Sequence, residues 1–421
     1  MKKLVQSVKG TRDFYPELMY IRTWLYQVMK DVSTLFGYEE YEAPMLERVD
    51  LYAAKSGEEL VNDQAYVFPD RGGDLISLRP ELTPSLARMV AQRQRELTFP
   101  LRWWSFGPFW RYERPQKGRT REFFQWNIDL IGVNSPEADA ELIAICATFM
   151  KKVGLTPDQV KIHVNDRRSM ESFLASLGFP KERLKSIYHL LDRRDKMTPK
   201  EWEEYALSEF CTPEQLKGLI SIATDQERWK TAQDLVRLFA ALQRLGVSEY
   251  VVYDPEVIRG LDYYTGVVFE VFDVEGGRAL FGGGHYDNLV SDVGGDPLPG
   301  VGFAMGDVMI GLVLERKGLL PSPKTLPAQV LVTVFDENAL LDAYALSTRL
   351  REAGVPVVCY PEPVKLPKQL KFADRIGVRW VIIEGPDEKK DGTVVVKDLR
   401  ERTQEKVGSG GIVQYLKQKL A

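Results

Sequence analysis

Residues 111–125 read RYERPQKGRTREFFQ, with basic side chains at Arg111, Arg114, Lys117, Arg119 and Arg121 against acids at Glu113 and Glu122. A short Pro-Gln-Lys-Gly loop carrying net positive charge suits a flexible anion, either a triphosphate or a nucleic-acid backbone. The planar arginine fork can pair two phosphate oxygens at once. A solvated surface hairpin is the plain alternative. Against it stand the aromatic flanking strands and the presence of Gln125 and Asp129 where a free-standing hairpin would carry lysines and threonines. A second stretch, IRGLDYYTGVVFEV, sets Arg259 before a glycine turn and Tyr263 and Tyr264 at the opening of a strand. Half-buried packing would account for those tyrosines equally well. The glycines of FGGGHYDNLV have neither Walker nor GxGxxG spacing, so they say only that backbone passes close to something. Thr83 stands where a helix N-cap belongs, with Pro84 in the first turn, and needs no substrate to explain it.

The whole chain limits these options. Its 421 residues are enough for two or three domains with filled cores. A formal net charge of −4 gives no global attraction to nucleic acid, so any polyanion contact must come from a local patch. Three cysteines, Cys146, Cys211 and Cys359, lie far apart and form no metal-ligand spacing, which fits a reducing compartment. Three histidines make a His-based triad or zinc cluster a poor expectation. The N-terminus has no apolar segment of signal-peptide length, and no run approaches the roughly 18 apolar residues of a membrane span. A cytoplasmic protein is expected.

The elements that must position these residues follow from periodicity. Residues 17–36 have helical apolar spacing ending at Gly37, and YEEYEAPMLERVDLY is extended with Pro44 at an edge or crossover. Read at period two, Phe124, Trp126, Ile128 and Leu130 share one strand face, while Arg121, Phe123, Gln125, Asn127 and Asp129 share the other. The pattern predicts an antiparallel hairpin with one core face and one polar face. A helix at about 137–153 and the strand VKIHVN follow, then a largely helical stretch at 167–247, read as an insertion. Strands resume to about residue 306, and PGVGFAMGDVMIGLVLERKG leads from strand to helix. A proline-bearing linker at 316–327 separates this half from an alternating strand–helix pattern typical of a small α/β domain.

Taken together and in order, these segments resemble the histidyl-tRNA synthetases, a family of class II aminoacyl-tRNA synthetases. GTRDFYPE and YEAPMLER resemble the first class II motif, which helps form a dimer. FWRYERPQKGRTREFFQ is similar to the second motif, and RGLDYYTG and GGGHYDNL resemble two segments peculiar to histidine-specific enzymes. The final domain, with KQLKFADRIG and VVVKDL, resembles an anticodon-binding domain. The resemblance implies an α+β fold. A catalytic domain at 1–322, built on a six- or seven-stranded antiparallel sheet with flanking helices and the helical insertion, would be followed by an anticodon-binding domain at 328–421.

The activity so implied joins L-histidine to its tRNA through a histidyl-adenylate, with ATP as substrate, Mg2+ accompanying it, no protein metal site, and a homodimer as the working unit. By similarity, Arg111 would grip the α-phosphate and Arg259 would neutralise charge as the carboxylate attacks it. Glu81 and Thr83 would hold the substrate's ammonium, and Gln125 would orient its backbone end. Asp129 would accept an imidazole N–H, with Tyr264 on the other side of the ring and Tyr263 beside it. Glu113 would face adenine or the metal shell, with Arg121 and Phe123 also at the ATP. Gln116, Lys117 and Arg119 would meet the acceptor end of tRNA. The chain departs from the family at the third motif, where Asp307, Val308 and Met309 replace an expected Leu-Glu-Arg run and the γ-phosphate arginine is missing. Arg316 and Lys317, about 10 Å further along the helix, are poor substitutes, and Arg119 and Arg121 are the nearer candidates. His285 stands where many relatives carry arginine. The loss of that arginine leaves an alternative, a catalytically silent regulatory subunit of ATP phosphoribosyltransferase. Arg259, the full RPQKGR loop and the C-terminal domain favour the synthetase.

Overall fold

The first long helix, Pro16–Leu35, starts with proline in its first turn and ends before Gly37, whose φ of 78° suits a residue without Cβ. It buries Leu25, Met29 and Val32 at helical spacing. The computed structural model describes residues 4–53, 64–194, 197–257, 263–323 and 328–420. They fall into two units, Met1–Pro321 and Ser322–Ala421.

In the first unit the strands are β1 (Glu39–Glu40), β2 (Leu46–Arg48), β3 (Tyr66–Pro69), β4 (Leu75–Leu78), β5 (Leu101–Trp110), β6 (Glu122–Ile131), β7 (Val160–Asp166), β8 (Val251–Tyr253), β9 (Val267–Asp273), β10 (Phe281–Tyr286) and β11 (Gly300–Gly306). Eight of them form one sheet in the order β1-β5-β6-β11-β10-β9-β7-β8. This corrects the expected six or seven strands. The six inner strands pair antiparallel, but β1 joins β5 and β8 joins β7 in parallel. Those edge strands have two and three residues, too short to show a period in sequence.

The alternation of β6 sets the two faces of the sheet. Trp126, Ile128 and Leu130 are buried with Ile143, Phe149 and Met150 of the Pro136–Lys152 helix in one large apolar cluster. Ser135 caps that helix by accepting from the Ala138 N–H. The opposite face carries Gln125, Asn127 and Asp129. Strands β2, β4 and β3 form a separate three-stranded sheet. Four helices, Arg167–Ser176, Leu184–Asp192, Pro199–Glu209 and Pro213–Thr224, enclose a core of their own around Trp202. The next helix, Gln233–Arg244, instead sends Leu235, Leu238 and Leu242 into the core behind the large sheet.

The second unit has strands β12 (Val330–Val332), β13 (Val357–Cys359), β14 (Trp380–Ile383), β15 (Thr393–Asp398) and β16 (Thr403–Gly408), in the order β13-β12-β14-β15-β16. The first three are parallel and the last two run antiparallel to their neighbours. Val330, Leu350, Ile382 and Leu416 are fully buried in its core. Strand β16 was not foreseen: its TQEKVG is almost wholly exposed and lacks an apolar face.

Candidate active site

The hairpin β5–β6 builds the floor of the site. Its register sets Gly107 opposite Gln125 and Trp103 opposite Asp129. Strand β11 lies on the other side, with Gly302 opposite Asp129. A Cβ at Gly302 would fall 2.0 Å from the Asp129 carboxylate, so only glycine leaves that side chain its place.

The wall comes from the segment after β4. Arg79 there is fully buried; its guanidinium pairs with Glu42 and donates to the Ala43 and Pro108 carbonyls, the latter at 2.9 Å. A buried charge held through Nε and Nη1 by these three acceptors fixes the backbone that presents Glu81 and Thr83. Thr83 is not the cap the sequence suggested. Leu82 occupies the N-cap without a side-chain hydrogen bond, and Thr83 is the first helical residue. It lines the cavity with Tyr263 and Tyr264, whose rings meet edge-on with centres 4.9 Å apart.

One cavity of about 250 Å³ gathers Glu81, Thr83, Gln125, Asp129, Tyr263 and Tyr264, with Arg111 at its margin. Sequence reading missed Glu270, Tyr286 and, as a site residue, Asn127, which line it too. Two signals were available: an acid, Glu270, set between apolar residues within β9, and a tyrosine in the glycine-rich segment of β10. The Tyr286 hydroxyl donates to Asp129 at 3.0 Å. Burial pushes the Asp129 carboxyl up to about 7, against that hydrogen bond. Burial also raises the phenols of Tyr263 and Tyr264, so both are neutral donors at physiological pH. Glu81, Asp129 and Glu270 give the cavity three carboxyl groups against one guanidinium, a lining that suits a ligand with an ammonium and further N–H donors.

Arg111 connects this cavity to a second one of about 160 Å³, lined also by Glu113, Gly118, Arg119, Thr120, Phe123, Val308 and Met309. Arg111 donates from Nε to the Pro80 carbonyl at 3.0 Å and lies over the Phe123 ring at 5.5 Å. Arg119 pairs with Glu113 at 3.0 Å. Gly118, with φ of 82°, abuts Met309: a Cβ there would meet its sulfur at 2.4 Å. Gln116 and Lys117 lie exposed at the loop tip, where Gln116 bridges to Arg119. Arg121 lines neither cavity; its guanidinium lies 4.0 Å from the centre of the Tyr112 ring. Arg259 lies outside the described residues.

Neither distant cation of the third-motif helix is available to a phosphate. Arg316 pairs with Asp273 and Glu275, and Lys317 with Asp273 at 3.6 Å and Glu275 at 3.2 Å. His285 is buried on the face of β10 opposite Tyr286, with Nδ1 2.9 Å from Asp139. Burial alone would lower its imidazole, but the Asp139 carboxylate outweighs it and raises it. Among the described residues no group of three or more His, Cys, Asp or Glu could hold a metal ion. No described helix is long and apolar enough to cross a membrane.

The family profile described as histidyl-tRNA synthetase matches residues 10–307, and one described as anticodon binding domain matches residues 329–419. The chain is 36% identical to a histidine–tRNA ligase of Leptospira biflexa, over 100% of this chain and 99% of that protein. It is 40% identical to the chloroplastic/mitochondrial histidine–tRNA ligase of Arabidopsis thaliana, over 94% of this chain and 83% of that one. In fold it is similar to the histidyl-tRNA synthetase crystal structure from a Nostoc species, with TM-score 0.82 at 24% identity, covering 99% of this chain and 100% of that one. The chain belongs to the histidyl-tRNA synthetase family.

Proposed function

We propose that the carboxylate-lined cavity holds L-histidine and that the cavity joined to it through Arg111 holds ATP, so that the two react across that guanidinium. The chain is a histidine–tRNA ligase of class II: histidine and ATP give histidyl-adenylate and pyrophosphate, and the histidyl group then moves to the 3′-terminal adenosine of tRNA. One observation carries the site assignment. Glu81, Thr83, Gln125, Asp129, Tyr263 and Tyr264, scattered over 184 positions of sequence from Glu81 to Tyr264, line one cavity.

The chemistry follows from charge. Glu81, with Thr83, takes the ammonium. Asp129 accepts one imidazole N–H, Tyr264 reaches the other ring nitrogen with Tyr263 supporting it, and a side chain unable to match both leaves buried polar groups unpaired. Gln125 turns the carboxylate toward Arg111, which holds the α-phosphate, and Arg259 neutralises charge there as the bond forms. Positioning and electrostatics suffice without a protein nucleophile. Phe123 offers its face to the adenine, and Glu113 supplies one carboxylate. Mg2+ fits such a site as a companion of the phosphates, since it keeps waters and takes few protein ligands; it would neutralise polyphosphate charge. Arg119 is favoured over Arg121 for the γ-phosphate because it lines the cavity beside Met309 and pairs there with Glu113, a partner it would exchange for the phosphate in place, whereas Arg121 lies over the Tyr112 ring and lines neither cavity. Gln116 and Lys117 are left to the acceptor end of tRNA.

The working unit is a homodimer, with 1–322 as catalytic domain and 328–421 as anticodon-binding domain. Met45 and Leu46 of the first motif, with Val67, Phe68 and Leu75 of the same small sheet, expose apolar side chains that a second copy would cover. The three thiols are free, in keeping with a cytoplasmic location.

The test is histidine-dependent exchange of labelled pyrophosphate into ATP by the purified chain, followed by charging of tRNA. Exchange that requires histidine is expected. Histidine binding with no exchange would favour the regulatory-subunit alternative and point to Met309.

A further inference from the structure

The N-terminal segment before the first helix touches the second motif through Gly10 and Phe14, and the third-motif helix through Arg12. The Gly10 carbonyl accepts from the N–H groups of Arg121 at 2.8 Å and Glu122 at 3.2 Å. Its Cα lies so close that an added Cβ would meet the Arg121 side chain at 2.8 Å and Pro115 at 3.0 Å, and its φ is 87°. Arg12 donates to Asp307 at 2.8 Å, and the other Asp307 oxygen accepts from the Phe124 N–H at 2.9 Å. Phe14 packs edge-on against Phe124, with ring centres 5.7 Å apart. Asp307 is buried and is the first residue of the helix that carries Met309 against Gly118. The segment therefore ties the base of the basic loop to the third-motif helix from one side, while Met309 meets the loop from the other.

We propose that Gly10–Phe14 is a strap whose Arg12 is a positioning residue for ATP. It holds Asp307 so that Phe123 and the loop bearing Arg119 stand ready at the second cavity. In this chain the third motif brings no arginine to that cavity, so nucleotide binding depends more on the second-motif loop being pre-set. The proposal rests on the reading of that cavity as the ATP site. It also predicts why removing Arg12 is harmful. The buried Asp307 carboxylate loses its hydrogen-bonded cation and is left with the charge of Arg22, which lies over the Phe14 and Phe124 rings. A buried charge so weakly paired disturbs its surroundings more than a neutral group there.

The experiment is the exchange assay on the full chain and on Arg12→Ala, Arg12→Lys, Asp307→Asn and the double variant Arg12→Ala/Asp307→Asn. Arg12→Ala should raise the KM for ATP about tenfold, roughly 1.4 kcal/mol, and leave the KM for histidine within about twofold. Arg12→Lys should recover much of the loss, and so should adding Asp307→Asn to Arg12→Ala, since the amide still accepts from Phe124 but carries no charge. An unchanged KM for ATP, a parallel rise in both KM values, or a double variant no better than the single one would overturn the strap. Should the unaltered chain show no exchange, the functional reading fails separately. The strap is then judged by ATP affinity in titration calorimetry, where the same tenfold loss and the same rescue are required.

Discussion

Asp129→Asn separates what the carboxylate costs the empty protein from what it offers histidine. The side chain is 5% exposed and accepts from Tyr286 at 3.0 Å. Burial raises it to about 7, whereas a carboxyl in an unfolded chain titrates near 4. Below pH ~4 it is protonated in both states and has no effect on stability. As pH rises from about 4 to 7 the folded protein retains a proton that the unfolded chain has released, so stability falls through that window and stays lowered above it. About three units at ~1.4 kcal/mol each is roughly 4 kcal/mol. Asparagine keeps the shape and can accept from Tyr286 without the charge. Its stability advantage should be near zero at pH 4 and about 4 kcal/mol at pH 8.5. For the Met1–Pro321 unit, at roughly 2 cal/mol/K per residue, that is a rise in Tm of about 6 °C. Histidine affinity should move the other way by roughly 10- to 150-fold, the loss of a charged acceptor worth about 1.5–3 kcal/mol, with ATP affinity unchanged. Thermal melts of both proteins across pH 4–8.5 and calorimetric titration with histidine at pH 8.5 read both effects. A Tm difference that does not vary with pH, or one of opposite sign at pH 8.5, would refute the burial argument. Equal losses for histidine and ATP would refute the ring contact.

Other outcomes follow from the same geometry. Arg259→Ala should lower pyrophosphate exchange by at least about a thousandfold, the loss of an electrostatic partner at the reacting phosphorus, with Tm unchanged; near-normal exchange would remove that arginine from the chemistry. Arg316→Ala should leave the KM for ATP within about twofold, because Asp273 and Glu275 already hold that guanidinium; a large rise would make it the missing phosphate ligand. Trp202 is buried and donates from Nε1 to the Leu190 carbonyl at 2.8 Å. Trp202→Ala should therefore destabilise the four-helix core by about 3–5 kcal/mol. Hydrogen exchange should speed up across residues 170–222 first, while adenylate formation survives; uniform acceleration over the large sheet would contradict a separate core.

Much of the site could be read before any coordinates. Strand alternation put Gln125 and Asp129 on one face and Trp126, Ile128 and Leu130 on the other, because side chains on a strand repeat every two residues whatever lies around them. The basic loop announced itself by composition, and the break in the third motif by an absent arginine at Met309. Tertiary structure alone decided what no local pattern encodes. It set the short parallel edges β1 and β8, whose hydrogen bonds come from distant strands, and the exposed β16, which follows its neighbour rather than an apolar period. It put Thr83 inside the first turn and in the cavity with Tyr263, and engaged Arg316 and Lys317 at the helix end with Asp273 of β9 and Glu275 just beyond it. It brought Gly10, Arg12 and Phe14 against β6 and Asp307, contacts between segments nearly 300 positions apart. A sequence fixes the period and chemistry of each element through local sterics and residue type; which partner answers each buried charge depends on how the chain closes on itself.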